Sequence, residues 1–137
     1  MKVFHGRSSG TRSEQRGGTF TGTVWADPVM PTTDGVTINT VFFAPGGRTF
    51  WHSHEHGQIL HVTAGQGWIC AQGGQPQPIR QGDVVWVAPN ERHWHGGSAD
   101  SYMVHIAISI GATRWQEEVS EPDYEQAGAA AARRAVG

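Results

Sequence analysis

The chain contains very few of the residues on which several common chemistries depend. Cys70 is the single cysteine among 137 residues, so no disulfide can form within the chain, and this usage is typical of the reducing cytoplasm, where we expect the protein. Lys2 is the only lysine and lies at the terminus, which argues against Schiff-base catalysis. Neither a Gly-x-Ser-x-Gly motif nor a phosphate-binding glycine loop occurs. Any cofactor chemistry is therefore expected to use a metal ion.

Charge and hydropathy argue against two classes of partner. The formal net charge is −2, which favours neither nucleic acid nor an anionic membrane surface. No apolar run approaches the roughly 20 residues of a membrane span. The first seven residues lack the apolar stretch of a secretion signal. We therefore expect a small-molecule ligand rather than a nucleic acid or a membrane, and the length suits one domain with a single core.

Residues 21–118 have the pattern of an all-β domain. Stretches rich in β-branched and aromatic residues alternate there with turn residues, which predicts a sandwich or barrel of short strands. Residues 1–20 are rich in Gly, Ser and Arg and are predicted to form a flexible arm. Residues 119–137 form a tail that is predicted to be a short helix or disordered. The predicted strands are Thr21–Ala26, Val36–Ala44, Gly57–Ala64, Trp68–Gln72, Val84–Ala88, His93–Gly96 and Tyr102–Ile110.

Two separated histidine-rich segments provide the ligands of a predicted metal site. His52 and His54 are one residue apart, so a strand places both side chains on the same face. Gln58 follows at an even offset beyond a short turn at Gly57, and His93 arrives from a distant segment. Three imidazoles and one amide oxygen suit Mn, Fe, Ni or Zn, and they leave open positions on an octahedral ion. We therefore predict that His52, His54, Gln58 and His93 bind a divalent metal ion.

Three further side chains are candidates for catalysis. His95 is two residues after His93, so a regular strand points both side chains inward. His105 shares the face of its strand with Met103 and small side chains, which suits a proton-transfer imidazole in a pocket wall. A core histidine that is held by a hydrogen bond is the alternative for both. Thr49 is placed so that its hydroxyl could lie beside an open metal position.

The strand before the first histidine pair is largely apolar on both faces. Alternation separates two sets of side chains, which are Asn39, Val41 and Phe43 on one face and Ile38, Thr40 and Phe42 on the other. One face is expected to line the pocket, and the other to meet either a second sheet or a partner subunit. Trp51, Trp86 and Trp94 are candidates for the core or for an apolar wall that receives an aromatic substrate.

The two histidine segments resemble the two motifs of the cupin family. The first motif is matched, with Gln in place of the usual Glu, by Gly46, His52, His54, Gln58 and Gly65. The second motif is matched at Gly82 and His93. It is replaced at three positions, where Ala88 stands for Pro, Asn90 for Gly and Gly97 for Asn. Asn90 is acceptable at a glycine position because Asn tolerates a positive φ. The resemblance implies a cupin-type jelly-roll barrel over about residues 21–118.

A closer resemblance is to the small bacterial manganese-dependent cupin hydroxynitrile lyases. It depends on Thr49–Gln58, Gly82–Trp86 and His93–Gly96, and on His105 in the last core strand. It implies reversible cleavage of an aromatic (R)-cyanohydrin to an aldehyde and hydrogen cyanide, with Mn(II) as the metal and Fe(II), Ni(II) or Zn(II) as alternatives. Gln in place of Glu removes a negative charge beside the metal, which we expect to make the ion a stronger Lewis acid. We also expect a homodimer or a homotetramer.

Two other classes of function fit the same residues. One is an Fe-dependent cupin dioxygenase, which would take up oxygen with Fe(II) but not with Mn(II). The other is a non-catalytic, metal-dependent cupin that binds a small molecule, which would bind aromatic aldehydes without turnover. The sequence leaves both open, because one fold of this kind supports many activities.

Overall fold

Short antiparallel strands make up most of the computed structural model, which describes residues 1–6 and 11–136. They are followed by the helix α1 (Glu121–Val136). In chain order the strands are β1 (Glu14–Arg16), β2 (Phe20–Thr21), β3 (Val24–Thr33), β4 (Val36–Phe43), β5 (Arg48–Thr49), β6 (His52–His54), β7 (Gln58–Ala71), β8 (Gln77–Arg80), β9 (Val84–Val87), β10 (His93–Gly97), β11 (Met103–Ile110) and β12 (Thr113–Trp115). The all-β prediction is therefore confirmed.

The strands roll into a nearly closed barrel in the order β1-β3-β4-β11-β7-β10-β5-β2. Strand β7 belongs to both walls, since its first half pairs with β11 and β9 and its second half with β10 and β8. The register shifts opposite Val104 and His105, where β7 carries one extra residue. Such a bulge bends a strand and lets it turn from one wall into the next.

Two residues with positive φ shape the turns beside the histidine strands. Gly57 has a φ of 98° and reverses the chain between β6 and β7. A Cβ at this position would lie 2.7 Å from both the Trp86 ring and the Val87 carbonyl oxygen, so a side chain does not fit there. Asn90 has a φ of 62°, as the motif comparison predicted for a residue in a glycine position.

Two apolar clusters stabilise the molecule. The first fills the barrel and contains Val24, Ala26, Val41, Phe43, Leu60, Val62, Ile69, Ile79, Met103 and Ala107. The second joins the outside of β10 to the C-terminal segment through Trp68, Cys70, Trp94, Val119, Tyr124 and Ala127. The Tyr124 hydroxyl donates to the Gly97 carbonyl oxygen over 2.7 Å, and the Arg48 guanidinium lies 4.4 Å from the Tyr124 ring centroid. The helix therefore packs against the strand that carries His93 and His95.

The structure differs from the predicted organisation in two details and shows which alternative holds for the tail. Strand β1 and the start of β2 fall within residues 1–20, so the sheet begins inside the predicted arm, of which residues 7–10 lie outside the described residues. The two strands predicted at Gly57–Ala64 and Trp68–Gln72 form one continuous strand, β7. The tail of residues 119–137 contains α1, which is the helical alternative of the prediction. Within the part of the chain that the structure describes, no helix has both the length and the apolar character needed to cross a membrane.

Candidate metal centre

A small cavity inside the barrel is lined by histidines from both segments. Its volume is about 170 Å³, and β4, β6, β10 and β11 provide most of its wall. Alternation along each strand explains the lining, because every second side chain faces inward. The polar lining residues are Thr37, Asn39, Thr49, His52, His54, Gln58, His95, His105, Ser109 and Thr113. Asn39, Val41 and Phe43 line the cavity, which is one of the two faces that the sequence distinguished on β4.

Three buried histidines come close enough to share one cation. A nitrogen atom of each of His52, His93 and His95 lies within 4.8 Å of the corresponding atoms of the other two. Strands β6 and β10 pair directly, with His93 opposite His52, which fixes the approach of the two segments. His54 lies next to this trio, since its ring centroid is 5.0 Å from that of His52 and 5.4 Å from that of His93. His52, His93 and His95 could therefore hold a metal ion.

Backbone carbonyls fix the tautomer of two of these imidazoles. His52 Nδ1 lies 2.8 Å from the Phe50 carbonyl oxygen, and His93 Nδ1 lies 2.9 Å from that of Glu91. A carbonyl oxygen only accepts hydrogen bonds, so Nδ1 carries the hydrogen in each neutral ring and donates it. Each Nε2 then keeps a free lone pair, which is the arrangement of a metal-binding histidine with an oriented ring.

Gln58 presents its amide oxygen to the same point. Gln58 Nε2 donates to Ser109 Oγ over 3.0 Å, and Gln58 Oε1 lies 3.2 Å from His93 Nε2. In this arrangement an amide oxygen and a bare ring nitrogen face each other, and both are acceptors. His54 Nε2 is also buried and has no hydrogen-bond partner among the described residues, while His54 Nδ1 lies 3.1 Å from Thr113 Oγ1. These converging lone pairs fit a divalent cation.

Burial keeps the histidines of the cavity neutral. Loss of hydration is the largest cause in every case, and it lowers the pKa of His54 and of His105 to about 4. The pKa values of His52 and His95 fall well below the ordinary value for the same reason, and the neighbouring charges of His93 and His105, respectively, lower them further. The pKa of His93 is lowered by burial as well. Neutral imidazole is the form that binds metal ions, so the cluster is ready for one at pH 7.

A second pair of imidazoles lies deeper in the cavity. His105 Nε2 is 2.9 Å from His95 Nδ1, and one hydrogen is shared across that contact. Both side chains are buried, as the sequence predicted for inward positions. His95 Nε2 and His105 Nδ1 are buried without a hydrogen-bond partner among the described residues. Thr49 Oγ1 accepts the backbone N–H of His95 over 3.2 Å, which leaves the Thr49 hydroxyl hydrogen free to point elsewhere.

The structure thus brings the predicted residues together in the interior of the barrel. His52, His54 and Gln58 line the cavity beside His93, yet the trio whose nitrogen atoms lie within 4.8 Å of one another includes His95 rather than His54. The assignment of His52, His54, Gln58 and His93 as ligands stays a prediction, as do the catalytic roles of His95, His105 and Thr49. His56 and His61 are both exposed and do not line the cavity.

Sequence reasoning did not place Phe20, Thr113 and Trp115 in the cavity, and it did not find the partners of Gln58 and His54. Trp115 packs on His52 with ring centroids 4.6 Å apart, and Phe20 lies 5.5 Å from Trp115. Ser109 and Thr113 hold Gln58 and His54, respectively. Phe20, Thr113 and Trp115 lie in strands of two or three residues, which are too short to show alternation. None of Trp51, Trp86 and Trp94 lines the cavity, since Trp51 and Trp94 belong to the cluster beside α1 and Trp86 is exposed.

Comparison with known proteins identifies the class to which this barrel belongs. The model of the cupin domain matches residues 39–109, a segment that contains the five buried histidines and Gln58. The chain therefore belongs to the cupin family.

Three individual proteins are similar to this chain. An (R)-mandelonitrile lyase from Granulicella tundricola is 43% identical over 113 residues, which are 78% of this chain and 86% of that protein. A cupin-like protein from Thermotoga maritima superposes with a TM-score of 0.81 at 36% identity, over 88% of this chain and 97% of that one. The polyketide cyclase RemF from Streptomyces resistomycificus superposes with a TM-score of 0.69 at 17% identity, over 91% of each chain, and this likeness concerns the fold alone.

Proposed function

We propose that this cupin is a metal-dependent lyase that reversibly cleaves an aromatic (R)-cyanohydrin to an aldehyde and hydrogen cyanide. The observation that carries the proposal is the 2.9 Å contact between the imidazoles of His95 and His105, beside His52 and His93, which together with His95 could hold a metal. The 43% identity to a mandelonitrile lyase supports the choice of reaction. A cytoplasmic location is part of the proposal, since the single cysteine suits a reducing compartment.

His52, His54, Gln58 and His93 would hold the ion, for which we propose Mn(II). A bound divalent cation supplies Lewis-acid stabilisation of the negative charge that develops on a substrate oxygen. Gln58 provides a neutral oxygen where a carboxylate would lower the net charge of the site. The Nδ1 hydrogen bonds of His52 and His93 keep both rings oriented during turnover.

The paired imidazoles would carry the proton. His105 or His95, which are both neutral at pH 7, accepts the proton of the cyanohydrin hydroxyl. The carbon–carbon bond then breaks, and its electron pair leaves with cyanide while the oxygen becomes the aldehyde carbonyl. The imidazolium returns the proton to cyanide, so that hydrogen cyanide leaves and the pair is neutral again. Thr49 donates its hydroxyl hydrogen to a substrate oxygen, since its Oγ1 lone pair already accepts from the backbone of His95.

The cavity suits a small substrate with one aromatic ring. Its volume of about 170 Å³ is below the roughly 300 Å³ at which drug-sized pockets begin. Phe20 and Trp115 form an aromatic wall beside the histidines, and Trp115 is 41% exposed. Such a wall binds a phenyl ring through tilted or offset contacts.

The test is to load the apoprotein separately with Mn(II), Fe(II) and Zn(II) and to measure benzaldehyde release from mandelonitrile. We expect release above that of the free metal in at least the Mn(II) sample. His105→Ala should lower kcat about 10²- to 10⁴-fold, because a positioned acid–base group contributes that much. The matched control is His61→Ala, which removes an exposed imidazole from the outer side of the same wall and should leave the rate unchanged.

Three results of these measurements would contradict the proposed lyase activity or point to another function. If no metal-loaded sample releases aldehyde above the free metal, the lyase assignment is wrong. Oxygen consumption with Fe(II) would then indicate a dioxygenase, and saturable binding of benzaldehyde without turnover would indicate a binding protein.

A further inference from the structure

The two residues that precede His52 and His93 meet on the outside of the barrel. Trp51 precedes His52 and Arg92 precedes His93, and alternation sends neighbours along an extended chain to opposite faces. Because His52 and His93 are direct partners in the register of β6 and β10, Trp51 and Arg92 lie diagonally across this pair of strands. Aromatic and long side chains can contact each other over that diagonal.

Trp51 and Arg92 form a cation–π contact. The central carbon of the Arg92 guanidinium lies 4.6 Å from the centroid of the Trp51 ring, which is well inside the roughly 6 Å reach of such contacts. The Arg92 side chain is 21% exposed, and its Nε is buried without a hydrogen-bond partner among the described residues. The guanidinium is therefore partly removed from water on the face of the ring, where the attraction is stronger than at a fully exposed site.

A third segment, which follows β12, contacts both of these residues. Arg92 Nη2 forms an ion pair with the Glu117 carboxylate. The backbone N–H of Trp51 donates to the Glu117 carbonyl oxygen over 3.0 Å, and the N–H of Gln116 donates to the Trp51 carbonyl oxygen over 2.9 Å. We call Trp51, Arg92 and Glu117 the outer clamp, because together they join β6, β10 and the end of β12 on the outside of the wall.

The outer clamp lies where the direct contact between the two histidine strands is short. Among the described residues, His52 and His93 form the one pair in the register of β6 and β10. The centroids of their rings are 4.2 Å apart, and Trp115, two residues before Glu117, packs on His52 from the third segment. A single pair constrains the separation of two strands weakly, so the side-chain contacts of the outer clamp add a constraint that the backbone does not supply.

We propose that the outer clamp holds His52 and His93 at the separation that metal binding requires, so that Trp51 and Arg92 are positioning residues of the site. They act through the backbone, since both point away from the cavity. The inference rests on the proposed metal binding but not on the proposed reaction. Electrostatics alone predicts the opposite effect, because the positive charge of Arg92 repels a cation and its removal would tighten binding. A loss of affinity without Arg92 would therefore result from altered positions of the histidines.

The experiment measures the Kd of the full-length apoprotein for Zn(II) and Co(II) in competition with a chromophoric chelator, and it needs no substrate. Arg92→Met keeps a long side chain against the ring and removes the cation, and we expect the Kd to rise about 2- to 30-fold, the range that corresponds to one cation–π contact. Arg92→Lys keeps a cation over the ring and should retain most of the affinity. Arg114→Met is the matched control, because Arg114 is an exposed arginine opposite Ser53 on the other side of β6, and its loss should leave the Kd unchanged or lower.

A second variant covers the case in which Arg92→Met fails to fold, which circular dichroism and urea unfolding would reveal. Trp51→Leu removes the ring, keeps an apolar side chain against the cluster beside α1 and leaves the charge of Arg92 in place. A higher Kd in either folded variant, with no rise in Arg114→Met, supports the proposal. An unchanged or lower Kd in the folded variant overturns it, as does an equal rise in Arg114→Met, and both results leave the proposed lyase activity standing. A wild-type apoprotein that binds neither ion overturns the outer clamp and the metal-dependent lyase together.

Discussion

Removal of a single hydroxyl should weaken metal binding without changing any predicted ligand. Gln58 Nε2 donates to Ser109 Oγ over 3.0 Å, and this contact turns the amide oxygen towards His93 Nε2, 3.2 Å away. In Ser109→Ala the amide loses its acceptor. Rotation of the amide by 180° then lets Nε2 donate to the bare His93 nitrogen, which removes the oxygen from the site. One hydrogen bond is worth about 0.5–1.5 kcal/mol, so we expect a roughly 2- to 13-fold rise in the Kd for the metal.

The measurement is competition for Mn(II) or Zn(II) between the apoprotein and a chromophoric chelator. Ser109→Thr keeps the hydroxyl and should retain most of the affinity. Ser101→Ala is the control, because that exposed hydroxyl donates to the neighbouring Tyr102 carbonyl oxygen and lies outside the cavity. The reasoning is refuted if Ser109→Ala binds the metal as tightly as the wild type, since the orientation of Gln58 would then be irrelevant to the site.

Three further predictions concern the cavity, its titration and the helix. Trp115→Ala should raise KM for mandelonitrile about 2- to 13-fold and leave acetone cyanohydrin much less affected, because one aromatic contact is worth about 0.5–1.5 kcal/mol; steady-state kinetics with both substrates test this. A histidine of the unfolded chain is protonated near pH 6.5, whereas buried His105 of the folded apoprotein is protonated only near its pKa of about 4. The free energy of unfolding should therefore fall by about 3 kcal/mol per such group as the pH falls from 6.5 to 4, and urea unfolding measures this change. Tyr124→Phe leaves the Gly97 carbonyl oxygen unpaired and should cost about 1–2 kcal/mol in the same assay.

Alternation along strands is the reason that much of the site could be predicted. His52 and His54, His93 and His95, and His105 all lie in strands, where a spacing of two residues fixes the shared face. The sequence could not show which nitrogen atoms come closest, because that depends on the pairing of β6 with β10. It also could not show that Ser109 and Thr113 hold the amide and imidazole side chains, since these contacts join segments about fifty to sixty residues apart.

The parts of the fold that were missed have a common physical origin. Strands of two or three residues, such as β2 and β12, are too short for a periodic pattern, so the sequence does not predict where the side chains of Phe20 and Trp115 point. The glycines at 65 and 67 interrupt the apolar pattern of β7, although the backbone there continues as one strand. The helix was predicted from local composition, but its packing on Trp94 depends on distant residues that only the folded chain brings together.

Strand β11 cannot accept an insertion or deletion of one residue without exchanging its inward and outward side chains. Adding or deleting one residue in its centre would exchange its two sides, so that Ile106 would enter the cavity and His105 would meet the solvent. Point substitutions have no such effect, because each alters one side and leaves the other in place. New specificities in this lineage should therefore arise through residue replacements within the strands, whereas insertions should accumulate in the turns.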